Sequence, residues 1–323
     1  MEVCKMLNGQ TIKRLIKDYN IVVILAAIII YAWFFVPYFN LPKNITNVLV
    51  DTAVYGIVCI GMTFCLITGG VDLSLGFQVA LAACVVCGVG SSTNLFIGIL
   101  AAVACCVLVG VINGLVIAKW GLGSLITTLA MMRILNGVIL VITGENLIAN
   151  SNESLLFLYG GKLFGFLPMP IVIFTVCLLA GAFILKKTRL GTSLYVIGGN
   201  EEAGKVVGIN SARSRVLAYV FAGIFAAIGG CVLGARYGMG STMVGDGLNL
   251  TVVAACVVGG VSIQGGKGGM IRTLLGILVM RIIINVMVLN LLNGYMQTFV
   301  QGVIIVLVLI ADLVTSRKKL TTH

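Results

Sequence analysis

Acidic side chains are rare in this sequence, and one lies deep in an apolar stretch. Asp72 stands within Ile67-Thr68-Gly69-Gly70-Val71-Asp72-Leu73-Ser74-Leu75-Gly76, and it is the one charge between Val54 and Val89. A carboxylate at the centre of a bilayer costs about 3 kcal/mol, so it needs a local reason. Catalysis is the first to test. An intramembrane serine protease would need Gly-x-Ser-x-Gly and a partner histidine. Here Asp72 holds the first glycine's place before Ser74, and the single histidine is the terminal His323. An aspartyl protease needs two facing aspartates. Asp246 qualifies by type, but Val244-Gly245-Asp246 lacks the first glycine of G-x-G-D. Neither constellation is complete, and the sequence does not read as an enzyme.

Two other patterns invite chemistry and fail on spacing. Cys84-Val85-Val86-Cys87 has the C-x-x-C form, but it lies in an apolar run with no histidine or carboxylate beside it. Thiols so placed behave as small hydrophobes, so neither a metal site nor a disulfide framework is expected. Gly259–Gly269 resembles a phosphate-cradling loop in composition. A P-loop requires Gly, four residues, then Gly-Lys-Ser/Thr. Val261 takes the first glycine's position and Gly268 follows Lys267. No cofactor is expected in this chain. Gly259, Gly260, Gly265, Gly266, Lys267 and Gly268 are expected to form a glycine-rich cytoplasmic turn.

The elements that must hold these residues follow from composition. The chain has 323 residues, of which 60% are hydrophobic and 10% charged, with a mean hydropathy of +1.15. Soluble domains carry about 25% charged residues, so lipid must be the solvent. A spanning helix needs roughly 20 apolar residues. That ruler predicts an all-α integral membrane protein with about ten transmembrane helices. They lie near 21–36, 48–68, 73–90, 95–118, 124–142, 167–185, 216–236, 249–263, 270–287 and 296–314, with the 249–263 span short.

The net charge of +11 is a topology signal rather than a nucleic-acid surface, because it is spread over short segments between apolar runs. With the N-terminus inside, sixteen Lys and Arg face inward, Lys5, Lys119, Lys186, Lys205 and Arg317 among them. Three face outward: Lys43, Lys162 and Arg236. Both termini are therefore expected in the cytoplasm. The polar N-terminal segment and the absence of a small-x-small site after Ile21–Val36 predict an uncleaved first span. No composition break divides residues 1–323, which read as a single transmembrane domain.

The longest polar excursion runs from Lys186 to Arg215. Within it Asn200 can cap a short helix whose first turn holds Glu201 and Glu202. Ala203, Val206 and Val207 would form its apolar face, and Gly208 could terminate it. Glu202-Ala203-Gly204-Lys205-Val206-Val207-Gly208 is similar to the E-A-A-x-x-x-G loop of ABC importer permeases, with Gly204 at the second alanine. Leu190–Ala203 resembles the ribose/xylose/galactose-type branch, as do Thr68–Gly76 (T-x-G-x-D-L-S-x-G) and Ala254–Gly268 (A-A-x-V-x-G-G-x-S-x-x-G-G-x-G).

The resemblance implies a multi-pass permease of the bacterial cytoplasmic (inner) membrane, surrounded by lipid, importing a monosaccharide such as a ribose-like pentose or a hexose. It implies an ATPase subunit that binds ATP and Mg and docks on a coupling loop of Gly199, Asn200, Glu201, Glu202, Ala203, Gly204, Val207 and Gly208. It also implies an extracytoplasmic sugar-binding protein and a second permease copy or paralogue. The alternative is an ion-coupled secondary transporter using Asp72, Arg133, Asp246 and Arg281. Gly69, Gly70, Asp72, Ser74 and Gly76 form a candidate helix break on the path. There Asp72 could cap the third span, touch the solute, or pair with Arg133 or Arg281.

Overall fold

The structure, a computed structural model, describes residues 9–92 and 94–320. Its helices are α1 (Gly9–Phe35), α2 (Pro42–Ile67), α3 (Leu75–Ser92), α4 (Leu95–Trp120), α5 (Ser124–Thr143), α6 (Glu153–Gly160) and α7 (Met169–Lys187). They continue as α8 (Arg189–Gly199), α9 (Glu201–Val206), α10 (Ser211–Tyr237), α11 (Leu248–Val258), α12 (Met270–Leu289) and α13 (Gly294–Leu320). Among the described residues four two-residue strands lie between helices: β1 (Ile148–Ala149), β2 (Lys162–Leu163), β3 (Leu167–Pro168) and β4 (Met239–Gly240). β1 pairs antiparallel with β4, placing Ile148 opposite Gly240, and β2 pairs with β3.

Among the described residues six helices are long and apolar enough to cross a membrane: α2, α4, α5, α7, α10 and α12. Ile21–Phe35, Leu75–Gly90, Thr242–Val258 and Gly294–Leu307 are apolar but shorter. Among the described residues six of the ten expected spans therefore meet this length and composition, and the other four overlap these shorter stretches.

Local chemistry sets the boundaries. Pro42 opens α2, where its missing N–H costs nothing. The Asn94 side chain accepts from the Phe96 amide at 2.8 Å to start α4, and left-handed Gly121 ends it. The expected 249–263 span starts as read but ends five residues early. After α10 the chain runs through β4 and a 3₁₀ turn (Thr242–Gly245), and only then forms the 11-residue α11. At 1.5 Å per residue α11 is about 16 Å long, half a bilayer's hydrocarbon thickness. Gly260, at a φ of +87°, stops it, so residues 261–263 belong to the following turn.

α2 and α10 form the centre, with 83% and 67% of their most apolar windows buried against 28% for α4, α5 and α7. The latter three lie at the outside of the bundle, with most residues of those windows not fully buried. α10 packs on α2, α3 and α4, and α12 packs on α2 and α11. Close approach rests on small residues. A side chain at Gly110 or Gly114 of α4 would run into the α10 backbone at Tyr219 or Val216. Phe64 of α2 stacks between Phe221 and Phe225 of α10, at ring separations of 5.2 and 5.9 Å.

Candidate functional site

Three glycine-bearing segments meet at one end of the bundle. α2 finishes at Ile67, whose carbonyl lies among the orphans of a helix C-terminus. The amide of Gly266, in the turn between α11 and α12, donates to that carbonyl at 2.9 Å. α8 lies directly over this bond. A Cβ on Gly198 would overlap the Ile67 oxygen and stand 2.7 Å from the Gly266 nitrogen, so only glycine fits. Gly69, at a φ of +77°, turns the chain out of α2 and faces the Gln264 carbonyl. From α8 the Tyr195 hydroxyl donates to the Gly268 carbonyl at 3.0 Å. Burial raises the pKa of this hydroxyl, with Arg272 opposing, so it stays a proton donor. Ser262 N–H to Lys267 carbonyl, 3.1 Å, closes the turn. Arg272 Nη1 reaches the Gly260 carbonyl at 3.1 Å, and the backbone of Arg272 leaves no room for a side chain at Gly259. Lys267 is exposed.

α9 follows α8 without a break in hydrogen bonding. The Asn200 amide closes α8 on the Val196 carbonyl, and its side chain accepts from the Ala203 amide at 3.0 Å to open α9. Gly208, at a φ of +78°, ends α9, with the Ile209 amide returning to the Gly204 carbonyl at 2.9 Å. Gly204 is the buried face of α9, resting on Val196 and Ile197 of α8. Two apolar side chains are open at its end: Val206 is 87% exposed and Val207, the residue just past α9, 70%. Glu201 ties α9 to α10 through Arg215 at 2.8 Å. The hydrogen bond from Arg215 holds the Glu201 carboxyl below its ordinary pKa, outweighing partial burial. Glu202 pairs with Lys205 at 2.7 Å.

Between α2 and α3 Asp72 is wholly buried. Its Oδ1 accepts from the Ser74 amide at 2.9 Å and the Ser74 hydroxyl at 2.6 Å, and Oδ2 accepts from Gln78 Nε2 at 3.2 Å. Asn113 of α4 donates to Ser74 Oγ at 3.0 Å. The flanking amides of Val71 and Leu73 donate to Ser124 and Thr128 of α5. Gly70 abuts the Tyr219 hydroxyl, and Gly76 abuts the carbonyl of Gly245 in the 3₁₀ turn. Neither expected basic partner meets Asp72. Arg281 pairs with Asp51 at 3.1 Å, and Arg133 is exposed.

Residues 44–309 match the family described as branched-chain amino acid transport system / permease component. The chain belongs to this family of ABC importer permeases. The L-arabinose transport system permease protein AraH of Escherichia coli K12 is 35% identical over 309 residues, spanning 95% of this chain and 94% of that protein. The ribose import permease protein RbsC of Bacillus subtilis 168 is 36% identical over 285 residues, or 85% and 86% of the two. The probable ABC transporter permease protein YphD of Escherichia coli K12 is 34% identical over 310 residues, or 96% and 93%. No solved structure matches the chain. It is a multi-pass inner-membrane transport subunit and not an enzyme. Permeases of this kind work with an ATPase and a binding protein, and no relative supports the ion-coupled reading.

Hydropathy does not reveal the permease's second charged site. Asp51 of α2 accepts from Arg236 of α10 at 2.6 Å and from Arg281 of α12 at 3.1 Å. The Arg281 guanidinium lies 4.0 Å over the Tyr55 ring, one turn along α2, and Arg236 lies 5.4 Å over Tyr159. The available signal was a lone carboxylate in an apolar helix. Asp51 precedes Ile67 by 16 residues, or about 24 Å of helix, so this cluster and the glycine junction sit toward opposite ends of α2. Beside it a cleft of about 460 Å³ opens between α2, α10, α11, α12 and α13.

Proposed function

We propose that this chain is the membrane subunit of an ATP-binding cassette importer and forms the path for a monosaccharide, either a ribose-like pentose or a hexose. In this reading residues 1–323 are one permease domain with ten spans and cytoplasmic termini. A second copy or a paralogue completes the dimer. An extracytoplasmic binding protein delivers the sugar, and a separate ATPase subunit supplies ATP and Mg. The names of the arabinose and ribose relatives support a pentose.

The observation that carries the reading is α9. Val206 at its end and Val207 just beyond are exposed, while its buried Gly204 rests on α8 and so on the junction of Gly198, Ile67 and Gly266. An ATPase groove covers the two valines. When ATP closes the ATPase pair, α9 and α8 shift together. With no side chain between Gly198 and the Ile67 carbonyl, that shift passes straight to the α2 end and to the α11–α12 turn. Packed interfaces of this kind switch between discrete arrangements rather than yield gradually.

The test is co-purification of the ATPase with the full chain. Val206→Asp with Val207→Asp should leave the chain in the membrane at its normal level, lose the ATPase and abolish ATP-dependent pentose uptake. Retention of the ATPase at full yield would show that α9 is not the docking helix.

A further inference from the structure

The geometry points to the cleft beside Asp51 as the permease's own solute site, built for an uncharged polyhydroxy ligand of one sugar ring. This rests on the proposed import function and assigns it a place. The volume of about 460 Å³ lies within the roughly 300–1,000 Å³ of small-molecule sites.

The charges in the wall cancel. Asp246 and Arg281 are its one acid and one base, and the adjoining Asp51 and Arg236 add one charge of each sign. A path for an ion needs a fixed counter-charge, and none is in surplus here. What remains is hydroxyl and amide chemistry. Thr251 of α11 meets Gln301 of α13 at 3.4 Å, and Gln297 lies in the same wall. Such groups both donate and accept, as sugar hydroxyls do.

Two further features call for an acceptor on the ligand. Arg281 is 9% exposed, and its Nε has no hydrogen-bond partner although Asp51 and the Tyr55 ring fix the guanidinium. A buried donor of that kind is normally satisfied, and a sugar hydroxyl oxygen would satisfy it once the guanidinium turns toward the cleft that Arg281 lines. The 11-residue α11 also starts at the cleft, since Gly247 and Leu248 line it, and no side chain caps that N-terminus. Tyr55 offers apolar ring surface in the same wall.

The test is uptake of radiolabelled D-ribose and L-arabinose by cells carrying the full chain with its ATPase and binding protein. Thr251→Val and Gln301→Leu should each lower uptake about tenfold at unchanged membrane level, with Gln301→Asn retaining more than Gln301→Leu. Val141→Ala, at a position 84% exposed on α5, should match wild type. If the two substitutions reduce the amount of chain, Gln301→Cys can be assembled first and then modified with a bulky thiol reagent. Uptake should then stop, while the treated wild-type chain continues. Wild-type uptake in both variants, or in the modified Gln301→Cys chain, overturns the cleft assignment alone. Absence of uptake of both these pentoses and, in a parallel assay, labelled D-galactose by the wild-type complex overturns the monosaccharide reading and the cleft assignment with it.

Discussion

The amide of Gly266 donates to the carbonyl of Ile67 at 2.9 Å, and Gly198 closes over that bond. Backbone thus meets backbone where α8, α2 and the α11–α12 turn converge. This contact tolerates less change than the rest of the α8–α9 segment.

Gly198→Ala would place a methyl on the Ile67 oxygen. Forcing a methyl into a filled site costs about 1–3 kcal/mol, here taken up by lifting α8 from the junction. The expected result is fewer sugars imported per ATP hydrolysed, measured in membrane vesicles. Gly204→Ala gives the contrast, because its Cβ would meet Val196 and Ile197 at an ordinary 3.5 Å. That variant should assemble with the ATPase as wild type does.

Asp72→Asn keeps an acceptor for the Ser74 amide and hydroxyl but turns its Nδ2 donor toward the Gln78 donor that Oδ2 accepts from. The cost should be about 1 kcal/mol. Asp72→Leu leaves the donors of Ser74 and Gln78 buried without that acceptor, which costs about 3 kcal/mol or more. Thermal unfolding of the purified chains should rank wild type above Asp72→Asn and both well above Asp72→Leu. A fully stable Asp72→Asn chain with no uptake would place the carboxylate in the solute path instead.

What was legible in the sequence is what is local. The Asn200 cap spans three residues, to Ala203, and Gly208 ends the same helix, so α9 could be read directly from the residues. The glycine pair Gly69-Gly70 likewise marked the end of α2. The meeting of Gly69, Gly198 and Gly265 was not legible, because each glycine fits a turn alone and the partner lies far along the chain. The early end of α11 at Val258, rather than near 263, escaped because Val261 and Ile263 keep the run apolar past Gly259-Gly260, and hydropathy sees composition rather than backbone path. Asp51 was hidden for a related reason. One charge is diluted in an apolar window, and its partners are 185 and 230 residues away.

The Glu201–Arg215 tie should give the α9–α10 corner a pH dependence confined to acid. The Glu201 carboxyl is held below its ordinary value when folded. Its contribution is therefore complete above the unfolded carboxyl value of about 4.3 and is lost as pH falls through the lower folded one. The side chain is 38% exposed, so solvent limits the effect to under about 1 kcal/mol. In melting curves, wild type should exceed Glu201→Gln by a constant margin from about pH 8 to pH 5. The margin should shrink in stronger acid.

Asp51 holds Arg236 and Arg281 at once, so removing it does more than break one pair. Asp51→Ala leaves both guanidiniums without their carboxylate, and Arg281 is the costlier because its side chain is only 10% exposed. Stranding a buried partner costs about 3–5 kcal/mol, whereas replacing a whole buried pair with apolar side chains is often neutral. Asp51→Ala should therefore melt well below wild type. Adding Arg281→Leu should recover part of the loss by removing the more buried cation. Arg236 can remain, since it is 25% exposed and lies over the Tyr159 and Tyr237 rings. If the double variant melts no higher than Asp51→Ala alone, uncompensated charge is not what Asp51 prevents, and its role reduces to packing between α2, α10 and α12.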